Sequence, residues 1–188
     1  MAGTMTWQID PTHSSVEFAV KHMMFTTVRG RFKTLSGEIH IDEEHPDRSS
    51  VEVEIDAASL DTGVEDRDTH LRSADFFDVE THPTITFHSR RVEGAHAEQG
   101  DRFRVTGDLT IRGKTIETTL DVTFEGRGKG PGGEERAGFS ATTEIDRRDF
   151  GLMWNQALET GGILVGNTVR IELDIQAVRQ EAAGRKAA

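Results

Sequence analysis

Apolar and polar residues alternate one by one through most of this 188-residue chain. Val16, Phe18 and Val20 share one parity, while Ser15, Glu17 and Lys21 take the other. Val28, Gly30 and Phe32 then alternate with Arg29, Arg31 and Lys33, and Leu35, Gly37, Ile39 and Ile41 continue the pattern. After a polar turn at Asp42 to Ser50, Val51, Val53 and Ile55 alternate with Glu52, Glu54 and Asp56. Phe139, Ala141, Thr143 and Ile145, and later Val169, Ile171, Leu173 and Ile175, repeat the pattern. A period of two puts successive side chains on opposite faces of a strand. The chain therefore predicts antiparallel sheet with one apolar face and one wetted face.

The stretch 103–124 predicts a hairpin. With Gly113-Lys114 as a Gly-first two-residue turn, Ile111 would face Ile116, Val105 would face Val122 and Phe103 would face Phe124. Gly126 to Gly133 reads as a flexible hairpin loop without the G-K-[ST] ending of a phosphate-binding loop. One interruption stands out. Around residues 63–77 the pattern turns helical, with Thr62 and Glu65 in capping-box spacing. It then passes through Phe76-Phe77, breaks at Pro83 and resumes as a strand at Ile85 and Phe87.

Long alternating strands must hide their apolar faces, and one helix cannot cover them all. The simplest solution is an all-β, extended antiparallel up-and-down barrel of about eight strands, with one helical insertion. A two-sheet sandwich is the competitor. Residues 6–178 read as a single domain, and 179–188 as a frayed tail.

Lys and Arg number 22 against 33 Asp and Glu, a net charge of −11, which argues against binding to nucleic acid or to an anionic membrane, both of which call for basic patches. The absence of cysteine excludes disulfides, thiolate catalysis and Cys-ligated metals. No stretch reaches the ~20 apolar residues of a membrane-spanning helix, and the N-terminus lacks the pattern of an export signal. The expectation is a cytoplasmic protein without stable membrane insertion.

Eight histidines invite a metal reading, but none has HExxH or H-x-H spacing, and surface histidine is the simpler reading. No G-x-S-x-G elbow is present. The segment Asp146 to Gly166 is too aromatic for a plain connection. Phe150 and Trp154 in it either cover a cavity mouth or plug the barrel end.

Several motifs together resemble a known family. They are Asp10-Pro11-x-His13-Ser14-x-Val16-x-Phe18, Val28-x-Gly30-x-Phe32, and His70-Leu71-x-Ser73-x-Asp75-Phe76-Phe77-Asp78 leading to Pro83-x-Ile85-x-Phe87-x-Ser89. Gly107-Asp108-Leu109-Thr110-Ile111-x-Gly113 and Arg148-Asp149-Phe150-Gly151 complete the set. In this order, from about Trp7 to Val178, they resemble the YceI-like proteins, a bacterial polyisoprenoid-binding family. His82 stands where an aromatic residue is more usual. The resemblance implies a lipocalin-like barrel enclosing a long isoprenoid, from a polyprenyl phosphate or an isoprenoid quinone. It implies a carrier, storage or sequestering role, with the lipid as cargo and no cofactor, and it leaves room for a homodimer.

Parity and composition, rather than the resemblance, suggest individual site residues. Phe18, Val20, Phe32, Leu109, Ile111, Leu120 and Val122 are candidates for the tunnel wall. Phe76, Phe77, Phe87, Phe150 and Trp154 would line or close its ends, and His22, Arg148 and Asn155 are candidates for a head group. Two other functions compete. One is a lipid-modifying enzyme using a pair such as His22 with Asp149. The other is a filled β domain acting through its acidic surface.

Overall fold

Alternation becomes architecture through hydrogen bonding between strands. The computed structural model describes residues 3–96 and 98–181. Its strands are β1 (Met5–Ile9), β2 (Ser15–His22), β3 (Thr26–Phe32), β4 (Leu35–Ile41), β5 (Ser50–Asp56) and β6 (Leu60–Asp61). The helix α1 (Glu65–Arg72) follows, and then β7 (Thr84–Glu93), β8 (Arg102–Ile111), β9 (Lys114–Lys129), β10 (Glu135–Asp146) and β11 (Val165–Arg179).

Eight strands close in the order β1-β4-β5-β7-β8-β9-β10-β11, with β1 pairing back onto β11. Every pairing is antiparallel. The expected barrel is present, with one departure from a plain up-and-down order. β2, β3 and β6 branch from β11 instead of standing between β1 and β4. β11 has room for two neighbours on one side because it has 15 residues. Val165 to Asp174 face β2, and Ala177 to Arg179 face β1. At ~3.3 Å per residue, β9 and β11 each span about 50 Å, so the barrel is elongated.

The β8–β9 hairpin corrects the expected register. Its two-residue turn is Arg112-Gly113, with φ of 51° and 72°, so Ile111 pairs with Lys114 and Leu109 with Ile116. Two consecutive positive φ values define a type I′ turn, whose twist matches that of the strands. Arg112 is held there because its guanidinium donates to the carbonyls of Phe76 and Gly151. The slip is two residues, an even number, so every side chain keeps its face. The glycine-rich stretch is also more regular than expected. β9 runs through Lys129, and only residues 130–134 form the connection.

At the helix, the expected capping box is replaced. Val64 is the N-cap and offers no side-chain bond. Buried Asp68 reaches back instead and accepts from both the amide and the hydroxyl of Thr62. At the other terminus, Arg179 belongs to β11 and pairs with Trp7, while residues 182–188 of the expected tail lie outside the described residues.

The Asp10-Pro11-Thr12-His13-Ser14 motif joins β1 to β2 by a compact set of bonds. Asp10 accepts from the amide and hydroxyl of Thr12 at 2.9 and 2.5 Å and from Arg136 at 2.8 Å, and lies 2.8 Å from His13 Nδ1. Ser14 exchanges hydrogen bonds with the backbone of Gln176 on β11. The Thr12 hydroxyl first, then His13 and Arg136, hold the Asp10 carboxyl far below the usual carboxylate range. Its folded pKa lies below the ~3.9 of an unfolded aspartate. Its contribution is therefore fully present above about pH 4 and is lost as pH falls below that value. Asp10→Asn should lower unfolding free energy at neutral pH by about 1–3 kcal/mol. In urea titrations below pH 4 it should lose stability less steeply than the wild type; parallel pH profiles would contradict this account.

Candidate functional site

The inward faces of the strands do not fill the barrel. They leave a cavity of about 280 Å³ whose wall is almost wholly aliphatic and aromatic. Its lining runs from Ser49, Asp101 and Arg127 at one end to Phe76, Phe77 and Phe150 at the other. The volume is thus thin and long. Glycine makes part of this room. A Cβ on Gly30 would stand 2.4 Å from the Phe18 ring and 2.8 Å from Thr62. Only glycine lets Phe18 lie across the neighbouring strand, where its ring packs 5.5 Å from that of Phe32.

Phe18, Val20, Phe32, Phe76, Phe77, Phe87, Leu109, Ile111, Leu120, Val122 and Phe150 all line this cavity. Alternation brings most of them together on the inward parity of their strands, while Phe76 and Phe77 follow α1 and Phe150 ends the 3-10 turn Arg147–Phe150 after β10. The same parity also brings in Ile39, Val53, Ile85, Val105, Phe139 and Ile171.

The polar candidates are placed differently. Arg148 is exposed and folds back on Asp146, 2.6 Å away, whose carboxyl its hydrogen bonds hold at about 2. Of the adjacent pair Arg147 and Arg148, it is Arg147, 4% exposed, that reaches the cavity. It extends the inward series Phe139, Ala141, Thr143, Ile145 by one more step, so parity alone could have found it. Arg147 donates to the carbonyls of Gly166, Leu152 and Trp154 at 2.8 Å each, and of Val165 at 3.3 Å. Burial pushes its pKa down, with Asp146 opposing that shift. Its work is to pin the 152–166 segment to the barrel end.

Asn155 acts likewise. It donates to the Val165 carbonyl and accepts from the amides of Val165 and Gln156, so its amide is a loop clamp outside the cavity lining. Trp154 is also outside the lining and forms a second layer, 5.5 Å from Phe76 and 4.6 Å from His70. His70 Nε2 in turn lies 2.8 Å from Asp75. This end of the barrel is therefore closed by α1, the Phe76-Phe77 turn and the 152–164 loop. Arg72 adds bonds to the carbonyls of Ala58 and Leu60.

His22 is half-buried and outside the cavity lining, and no hydrogen bond or ion pair joins it to Asp149. The acid–base pair required by the lipid-modifying alternative is not formed. No group of three or more His, Cys, Asp or Glu is arranged to hold a metal among the described residues. His82 packs against the β8–β9 turn, its ring 2.9 Å from where a Gly113 Cβ would lie. No described helix is long and apolar enough to cross a membrane.

The family profile of the YceI-like domain matches residues 7–177. The chain belongs to the YceI-like family. A UPF0312 protein of Staphylococcus epidermidis is 38% identical over 169 residues, covering 88% of this chain and 93% of its own. Among solved structures, BcnA of Burkholderia cenocepacia is similar at a TM-score of 0.77 and 28% identity, over 89% of this chain and 98% of its own. A domain of Saccharophagus degradans described as polyisoprenoid-binding shares the fold at a TM-score of 0.65 and 18% identity, over 93% of this chain and 98% of its own. The YceI-like barrel is thus common to this chain and its neighbours.

Two expected outcomes follow. Arg147→Met should cost about 1–3 kcal/mol by leaving buried carbonyls unpaired, and should accelerate proteolysis within residues 152–164. Arg148→Met should leave that cleavage rate unchanged, and equal cleavage of both variants would contradict the clamp. Gly30→Ala should displace Phe18 and cost about 1–3 kcal/mol by overpacking. An unfolding midpoint equal to that of the wild type would mean that Phe18 has freedom the packing denies it.

Proposed function

We propose that this protein binds the apolar tail of a long-chain isoprenoid lipid, a polyprenyl phosphate or an isoprenoid quinone, and carries, stores or sequesters it. The observation that carries the reading is the shape of the cavity, thin, apolar and extended from one end of the barrel to the other. A compact ligand would need a wider chamber. A flexible chain needs only continuous apolar wall, and burial is worth about 0.8 kcal/mol per CH₂. Summed over a whole isoprenoid this would exceed the practical ceiling of roughly 18–21 kcal/mol, so ordering the chain absorbs much of it. Membership of the YceI-like family and the fold shared with a polyisoprenoid-binding domain support the same reading.

The enzyme alternative needs a reactive pair in the cavity, and the pair it named is absent. The filled interaction domain needs an interior without space, which the cavity replaces. Binding by burial requires no catalytic group.

Leu120 faces the tunnel from β9, and a larger side chain there would block it. Titration with an isoprenoid quinone or polyprenyl phosphate in detergent should saturate the wild type at a defined stoichiometry. Leu120→Trp should weaken uptake by about tenfold or more, whereas His22→Ala should leave it unchanged. A wild type that takes up neither lipid would overturn the proposal.

A further inference from the structure

The turn between β2 and β3 carries the largest exposed apolar side chains of the described residues. Phe25 is 81% exposed and Met24 65%, with Met23 beside them. Met153, 62% exposed, projects from the 152–164 loop at the same end of the barrel. This turn is ordered. The Met23 amide donates to the Leu164 carbonyl, the Phe25 amide to that of His22, and Met24 packs against Gly162. Met23 and Met24 have φ of 51° and 65°, the left-handed region where side chains other than glycine are strained. Backbone strain of this kind persists where the surroundings hold it and often marks a working surface.

Charge on the same hairpin is distinctive in a chain of net −11. Lys21 and Arg29 stand on its outward face, one strand apart, and neither makes an ion pair among the described residues. Lys21 only donates to the Thr27 hydroxyl. Exposed Glu159 lies in the neighbouring turn, against whose Gly162 Met24 packs. The tip is also continuous with the cavity wall. Val20 precedes it on β2, and Val165 pairs with His22 at its base; both line the cavity.

We propose that the Met23-Met24-Phe25 turn, with Met153, is a transient membrane-docking tip whose apolar side chains enter the interface of an anionic bilayer while Lys21 and Arg29 meet its head groups. A convex apolar turn flanked by unpaired cations matches a surface that is apolar below and negative above. The inference rests on the lipid-carrier reading only for its purpose: a tip at the cavity end places the protein where its cargo dissolves. Attachment of this size is reversible, in contrast to a spanning segment.

Flotation with vesicles that contain no isoprenoid tests docking separately from cargo binding. The wild type should float with vesicles of phosphatidylcholine and phosphatidylglycerol, less with phosphatidylcholine alone, and less again at high salt. Phe25→Ser should reduce partitioning about tenfold or more, and Arg29→Gln severalfold at low salt. Both variants should still bind isoprenoid delivered in detergent, since neither residue lines the cavity. Absence of wild-type flotation with either vesicle, or equal flotation of Phe25→Ser, would overturn the docking tip. Flotation by a protein that refuses isoprenoid in detergent would leave the tip standing and remove the carrier.

Discussion

Strand β11 is the element on which the rest of the barrel depends, because it is hydrogen-bonded to three partners. β10 runs along one edge for most of its length, while β2 and then β1 share the other. The pairing with β1 removes the last free edge of an eight-stranded sheet, and closure is what lets long one-sided strands hide their apolar faces. The pairing with β2 extends the wall beyond the point where β1 ends. Loss of either pairing would open the interior to water. The bonds of Asp10, Ser14 and Arg136 around Gln176 secure the junction where β11 passes from one partner to the other.

At the capped end, polar groups serve a mechanical purpose. Arg72, Arg112 and Arg147 each spend their guanidinium donors on backbone carbonyls, some in turns and loops (Phe76, Gly151, Leu152, Trp154) and some in short or terminal pieces of regular structure (Ala58, Leu60, Val165, Gly166). Loops cannot satisfy their own backbone groups as sheet does, and several of these carbonyls are shielded from solvent. A planar fork of five donors is suited to collecting them. The consequence is an aromatic lid, built from Phe76, Phe150 and Trp154, held in place by charges that face loop carbonyls. The cavity beneath stays apolar while the charged residues around it remain satisfied.

Most of the wall was legible because it depends only on parity. Phe18, Phe32, Leu109 and Val122 could be placed inside before any pairing was known, and a register error of two residues at Arg112-Gly113 left their faces unchanged. The closing strand was harder to see. Met5, Trp7 and Ile9 alternate over only five residues, and the pairing of Trp7 to Ile9 with Ala177 to Arg179 joins distant parts of the chain. Nothing local signals it. The polar side chains are harder to place for a related reason. Arg148 and Asn155 look like head-group ligands in a row of letters, whereas in the fold Arg148 turns back on the Asp146 carboxylate and Asn155 bonds the backbone of Gln156 and Val165. Arg147 could have been preferred over its neighbour by continuing the count along β10.

The central claim is that the thin cavity exists to hold an isoprenoid chain. The most direct measurement is mass spectrometry of an organic extract from protein purified under native conditions. The account predicts an isoprenoid lipid at close to one molecule per barrel, lost when the tunnel is blocked. An empty extract, from protein that also refuses added isoprenoid quinone and polyprenyl phosphate, would contradict it and leave the barrel without a lipid cargo.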